Sequence, residues 1–159
     1  MTVTDQNTIE PVREVLHHHA VLRRGLEQQV GALCAAVERN APYDQELTAL
    51  QGYLAGEILP HAEAEERTLY AASVTQARGS QLVRTLIAEH RELAGLAEQL
   101  RSGDLGATAA ATVAESIATL FASHAAREND QLLPALTCSG VDLASLLADM
   151  STGLAGQQL

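Results

Sequence analysis

With 159 residues the chain is long enough to bury one sizeable core and sits at the usual size of a single domain. Ala and Leu supply 28 and 24 of those residues, Ile and Val together 14 and the aromatics 4, a composition that favours helix and starves a sheet. Ten Arg, no Lys and 20 Asp and Glu give a formal charge of −10, so the positive surface that binding nucleic acid or an anionic membrane requires is missing.

The stretch MTVTDQNTIEPVREVL has neither a basic segment nor an apolar one, and no window reaches the roughly 18 to 20 apolar residues of a membrane span, so a soluble, cytoplasmic protein is expected. Residues 1–8 are polar and read as frayed. Apolar residues then recur at helical spacing through Val12, Val15, Leu16, Leu22, Leu26, Val30, Leu33, Cys34 and Val37, a long first helix that Pro42 must stop. A second helix starts around Asp44, read as its N-cap, and carries Leu47, Leu50, Leu54, Ile58, Leu69 and Ala72 on one face. Pro60 removes the hydrogen bond to Gly56, so a kink or restart is expected there.

Residues 76–80 read as a short connection with Ser80 as the next N-cap, followed by a third helix through Leu82, Val83, Leu86, Ile87, Leu93, Leu96 and Leu100. Residues 102–106 break it, and a fourth carries Val113, Ile117, Leu120, Phe121, Leu132 and Leu136, ending near Pro134 or at Cys138-Ser139-Gly140. A short fifth helix over about 141–150 packs across an end of the others. The expectation is one all-α domain over 1–159, an antiparallel up-down-up-down four-helix bundle with its core at about 10–138 and a short C-terminal helix and tail over 139–159. Cys34 and Cys138 are too few and too scattered for a disulfide framework or thiolate metal site, and Cys34 reads as a small buried hydrophobe.

Of six histidines, four fall on apolar stripes, one per bundle helix. His19 stands between Val15 and Leu22, His61 follows Leu54 and Ile58, His90 follows Leu86 and Ile87, and His124 follows Ile117, Leu120 and Phe121, all at spacings of three, four or seven. A lone histidine on such a face is usually a satisfied core residue, but four in one small core need four buried partners or a shared use. His61 and His124 each carry a glutamate one turn on, Glu65 and Glu128, on the same helix face. Buried carboxylates want a cation, and a mixed imidazole and carboxylate set without thiolate suits non-haem iron or manganese best, with zinc still open. Two bridging carboxylates imply two ions. The pattern is also repeated: His19 with His61/Glu65 is echoed by His90 with His124/Glu128, so two helical hairpins related by a pseudo-two-fold would place one histidine pair at each ion.

The ordered set His19, His61-x-x-x-Glu65, His90, His124-x-x-x-Glu128, together with Glu66-Arg67-Thr68-Leu69-Tyr70 after the first pair, resembles the hemerythrin-like, or HHE cation-binding, domains over about residues 12–137. The resemblance implies a site of two iron ions with an oxo or hydroxo bridge, with Glu65 and Glu128 as bridging carboxylates, His19 and His61 on one iron and His90 and His124 on the other. Oxygen-carrying members have a further histidine one turn from that on the third helix; here those positions are Leu86 and Ala94. The count leaves about one open position on each of two roughly octahedral ions. Reaction with or sensing of O2, peroxide or nitric oxide therefore ranks above oxygen storage, and catalase- or peroxidase-like turnover stays open. An iron-binding, iron-storage or oxygen-binding module without catalysis, and a metal-free interaction domain, are the alternatives. Glu57 is either an added ligand or outer partner, or is turned outward by Pro60; Tyr53 and Tyr70 either donate to the site or cap the core, the latter preferred; His17 reads as exposed and His18 as a flank residue, with a register shift that makes His18 the ligand as the lesser alternative. No protein partner can be read from the sequence.

Overall fold

Five helices hold most of the described residues of the computed structural model, 3–74 and 79–155, with side chains described over 9–74 and 81–151, and no strand occurs among them. They are α1 (Val3–Glu38), α2 (44–73), α3 (Gly79–Ser102), α4 (107–138) and α5 (Leu143–Ala155). α1 is helical from Val3 and runs through Pro11, so the frayed segment expected over 1–8 is helical across the part that is described. α5 packs against α1 and supports that end.

α1 stops as Pro42 requires. Asn40 takes the left-handed conformation at φ 50°, and Ala41 N–H reaches back to the Ala36 carbonyl at 3.0 Å. Asp44 is not the N-cap of α2; Tyr43 makes the turn with φ −128° and accepts from Leu47 N–H at 2.9 Å, which leaves Asp44 in the first turn beside Glu46, at the positive end of the helix dipole. α3 begins at Gly79, one residue before the expected cap Ser80, and residues 75–78 of that connection lie outside the described residues. Gly103, at φ 73°, turns the chain between α3 and α4. α4 passes Pro134 and ends at Cys138, with Gly140 at φ 74° beyond it. Asp142 caps α5 by accepting from Ser145 N–H at 3.2 Å.

Pro60 neither breaks nor restarts α2. The helix widens into a π turn over Leu54–Ile58, in which Leu59 N–H bonds the Leu54 carbonyl five residues back. α4 does the same over Glu128–Leu132, with Leu133 N–H on the Glu128 carbonyl just before Pro134. A wide turn directly before each proline lets the helix absorb a ring that has no N–H to give.

The apolar residues form two clusters. One gathers Leu22, Leu26, Leu33, Leu50, Leu54, Ile58, Leu93, Leu100, Ile117 and Phe121. The other gathers Val15, Leu69, Tyr70, Val83, Leu86, Leu132, Leu136, Leu143, Leu147 and Met150. A fully buried Leu or Ile contributes about 1.5–3 kcal/mol, so these clusters dominate the stability of the fold. Each long helix passes from one cluster to the other, and the chemistry-bearing residues occupy the crossing point. Leu16, expected on the stripe, is 38 % exposed. The seam on α1 is Val15, His19, Leu22 and Leu26, narrow enough that Leu16 falls on its edge. No described helix is long and apolar enough to cross a membrane.

Candidate metal centre

His19 lies between Val15 of one cluster and Leu22 of the other, His61 between Ile58 and Ala64, His90 between Leu86 and Leu93, and His124 beside Phe121. All four imidazoles, with Glu65 and Glu128, are at most 5 % exposed. Four helical seams thus each put one imidazole at the same level, and the carboxylates of Glu65 and Glu128 fill the layer.

Glu65 sits among all four rings. Its Oε1 is 3.1 Å from His19 Nε2 and 3.0 Å from His61 Nε2, while its Oε2 is 3.5 Å from His90 Nε2 and 4.0 Å from His124 Nε2. One carboxylate therefore turns one oxygen to each histidine pair. Glu128 places Oε2 3.5 Å from His19 Nε2 and 3.4 Å from His124 Nε2. Its Oε1 accepts from the Tyr70 hydroxyl at 2.6 Å. The Tyr70 ring stacks on His90 with centroids 5.3 Å apart.

The outward nitrogens are held by acceptors. His19 Nδ1 is 2.7 Å from Asn129 Oδ1, His90 Nδ1 2.9 Å from Glu66 Oε1, and His124 Nδ1 2.9 Å from Glu89 Oε2. An Nδ1–H donated outward leaves the Nε2 lone pair facing in, the tautomer a metal ligand needs. His61 has no such partner, and its ring meets that of His18 edge-on at 4.8 Å.

Among the described residues, four buried side-chain atoms lack a hydrogen-bond partner: His61 Nδ1, His61 Nε2, Glu65 Oε2 and Glu128 Oε2. His61 Nε2 lies 3.0 Å from a Glu65 oxygen, yet out of line for a hydrogen bond. Leaving such atoms orphaned costs about 1–3 kcal/mol each, and a cation that accepts lone pairs removes that cost for the inward ones, His61 Nε2, Glu65 Oε2 and Glu128 Oε2. The donor atoms form two groups, His19-His61-Glu65 and Glu65-His90-His124-Glu128, within each of which they lie inside 4.8 Å of one another; Glu65 belongs to both. The residues present fit a pair of metal ions.

The electrostatics agree. Burial works against charge on His19 and His124, but Glu65 lifts the first above its ordinary value, and Glu128 and Glu65 lift the second to about 10. Burial would raise Glu65, yet His61 and the other surrounding imidazoles hold it well below the usual carboxylate range. Burial, then the carboxylates Glu65 and Glu128, push the Tyr70 phenol far up, so it stays protonated and donates. The cluster is built to hold positive charge.

A model of the hemerythrin HHE cation-binding domain matches residues 10–136. The chain belongs to that family. No curated protein and no solved structure matches it. The hemerythrin match spans α1 to most of α4, the helices that carry the buried cluster, and leaves α5 outside. The positions one turn either side of His90, where a carrier has its extra histidine, hold buried Leu86 and exposed Ala94.

All six residues singled out from the sequence, His19, His61, Glu65, His90, His124 and Glu128, are brought together. Glu57 is exposed and outside both donor groups, and the Tyr53 hydroxyl donates to the Leu22 carbonyl at 3.1 Å, within the apolar core. His17 is exposed and His18 half-buried, as expected. Of the two roles open to Tyr70, the structure shows the donor: it stands in the cluster with its hydroxyl on Glu128. Glu66, Glu89 and Asn129 are outer partners that helical spacing does not single out. Each adjoins a cluster residue in sequence, and that adjacency was the available signal.

Proposed function

We propose that this hemerythrin-family chain is an antiparallel up-down-up-down bundle holding two iron ions with an oxo or hydroxo bridge, and that it reacts with or senses O2, peroxide or nitric oxide. The order in which the helices visit the two apolar clusters supports the topology: Val15 before Leu22 in α1, Ile58 before Leu69 in α2, Leu86 before Leu93 in α3, Phe121 before Leu132 in α4, alternating each time. One observation carries the site: inward Nε2 atoms and carboxylate oxygens converge with no protein partner able to satisfy them all.

His19 and His61 would hold one ion, His90 and His124 the other, with Glu65 and Glu128 between them. When bound, such a pair supplies a redox couple and coordination positions for a small molecule. The chain's own residues orient and protect it. Asn129, Glu66 and Glu89 fix three rings through Nδ1. Tyr70 holds a proton between its Oη and Glu128 Oε1. The two apolar clusters exclude water above and below. A cavity of about 350 Å³ lined by His17, His18, Val21 and His61 gives a small neutral molecule a way in from the surface. With Leu86 and Ala94 in place of a further imidazole, reactivity or sensing is the reading rather than storage of oxygen.

Azide or nitric oxide added to the iron-loaded protein should change its visible absorption, and peroxide should be consumed faster than by equal free iron. An unchanged spectrum would mean coordination is closed. Peroxide loss no faster than with free iron would leave sensing or storage and remove turnover.

A further inference from the structure

The internal repeat makes the surroundings of the two histidine pairs comparable position by position, and they differ. Glu66 directly follows Glu65, and Asn129 directly follows Glu128; each reaches across to the other half, Glu66 to His90 Nδ1 at 2.9 Å and Asn129 to His19 Nδ1 at 2.7 Å. Glu89 directly precedes His90, and His18 directly precedes His19. Glu89 accepts from His124 Nδ1 at 2.9 Å, whereas His18 meets His61 only ring to ring, leaving His61 Nδ1 without a partner. One pair is thus backed by two carboxylates, and the other by a neutral amide and nothing.

Resting on the di-iron reading above, we propose that the two metal positions are unequal: His90/His124 is the tight, resident position, made so by Glu89 and Glu66 as positioning residues, and His19/His61 is the weak, exchangeable one. A carboxylate on Nδ1–H fixes the ring and makes Nε2 a better donor, and removing such an outer partner typically weakens metal binding by about 10- to 100-fold. Glu89 carries most of this effect. It is 12 % exposed against 40 % for Glu66, and Arg127 Nε anchors its other oxygen at 3.1 Å. Two cavities open toward the weak position, the one of about 350 Å³ at His18 and His61 and another of about 170 Å³ at His19 and Asn129.

The test is anaerobic Fe(II) titration of the metal-stripped full chain against a competing chelator. Two phases of one ion each are expected. His61→Ala should erase the weak phase alone. Glu89→Gln should weaken the tight phase by about 10- to 100-fold and raise its midpoint potential, with Glu89→Ala worse, because glutamine keeps an acceptor oxygen but not the charge. His18→Glu, which offers His61 Nδ1 the missing acceptor, should tighten the weak phase. Glu66→Gln, at a more exposed site, repeats the tight-phase test with a smaller loss and settles the matter if Glu89 variants fold poorly. Two ions of equal affinity, full rescue by Glu89→Gln, or a Glu89 or Glu66 effect on the weak phase would overturn the inequality and leave the di-iron reading standing. No bound iron would overturn both.

Discussion

His90 and His124 meet nitrogen to nitrogen, their Nε2 atoms 3.0 Å apart, while each Nδ1 stands 2.9 Å from a carboxylate. If both outer nitrogens donate, two lone pairs face each other in a buried layer, and only a cation between them relieves the contact. Metal or proton can serve, and the choice between them is the chemistry of the site.

In the metal-free protein that cation is a proton. His124 is lifted from 6.5 to about 10; burial opposes this, but Glu128 and Glu65 outweigh it. A group whose folded pKa lies above its unfolded value contributes stability that is complete below the unfolded value and is lost as pH rises through the folded one. Metal-free protein should therefore lose stability to urea between about pH 6.5 and pH 10. Metal uptake at pH 8 should release protons, seen as a dependence of the binding heat on buffer ionisation. Equal heats in all buffers would show that no proton is displaced.

Alanine substitutions separate inward from outward histidines. His61→Ala and His124→Ala should each lose iron, measured as metal per chain after desalting, and His17→Ala should bind as the parent does. Equal losses from all three would contradict the assignment of helix faces.

Tyr70→Phe removes a charge-assisted hydrogen bond to Glu128 while keeping the ring that stacks on His90. A loss of about 1.5–3 kcal/mol in the metal-free protein is expected from urea melts. A loss under a few tenths of a kcal/mol would mean that the hydroxyl is satisfied otherwise.

Gly25 is where α1 lets Tyr53 in. A Cβ there would overlap the Tyr53 hydroxyl, which donates to the Leu22 carbonyl at 3.1 Å. Gly25→Ala should destabilise by about 1–3 kcal/mol, the usual cost of overpacking. Adding Tyr53→Phe should recover part of that loss and not all, since the ring carbon stays 2.6 Å from the new methyl. A double variant no better than Gly25→Ala alone would show that the hydroxyl is not the obstacle.

The six inward residues were legible because a 3.6-residue period fixes which face a side chain takes, and His19, His61, His90 and His124 keep that period with their apolar neighbours. Tyr70 was not. In a regular α-helix it would lie roughly 140° around from Glu65, away from the site. The wide turn over Glu66–Tyr70 changes that rotation and brings it in. A period cannot anticipate a bulge. Asp44 does not cap α2, because capping depends on whether the preceding residue makes the turn, and Tyr43 does. Glu66, Glu89 and Asn129 were hidden for another reason: they act across helices, and spacing along one helix carries no record of contacts to the next.

Iron per chain after anaerobic Fe(II) reconstitution and desalting bears most directly on the central claim that the converging side chains form a two-ion centre. The account predicts two irons per chain, and a rise in melting temperature of about 5–10 °C when metal is held near 100 times its dissociation constant. A chain that retains no iron, and melts identically with and without chelator, would contradict it.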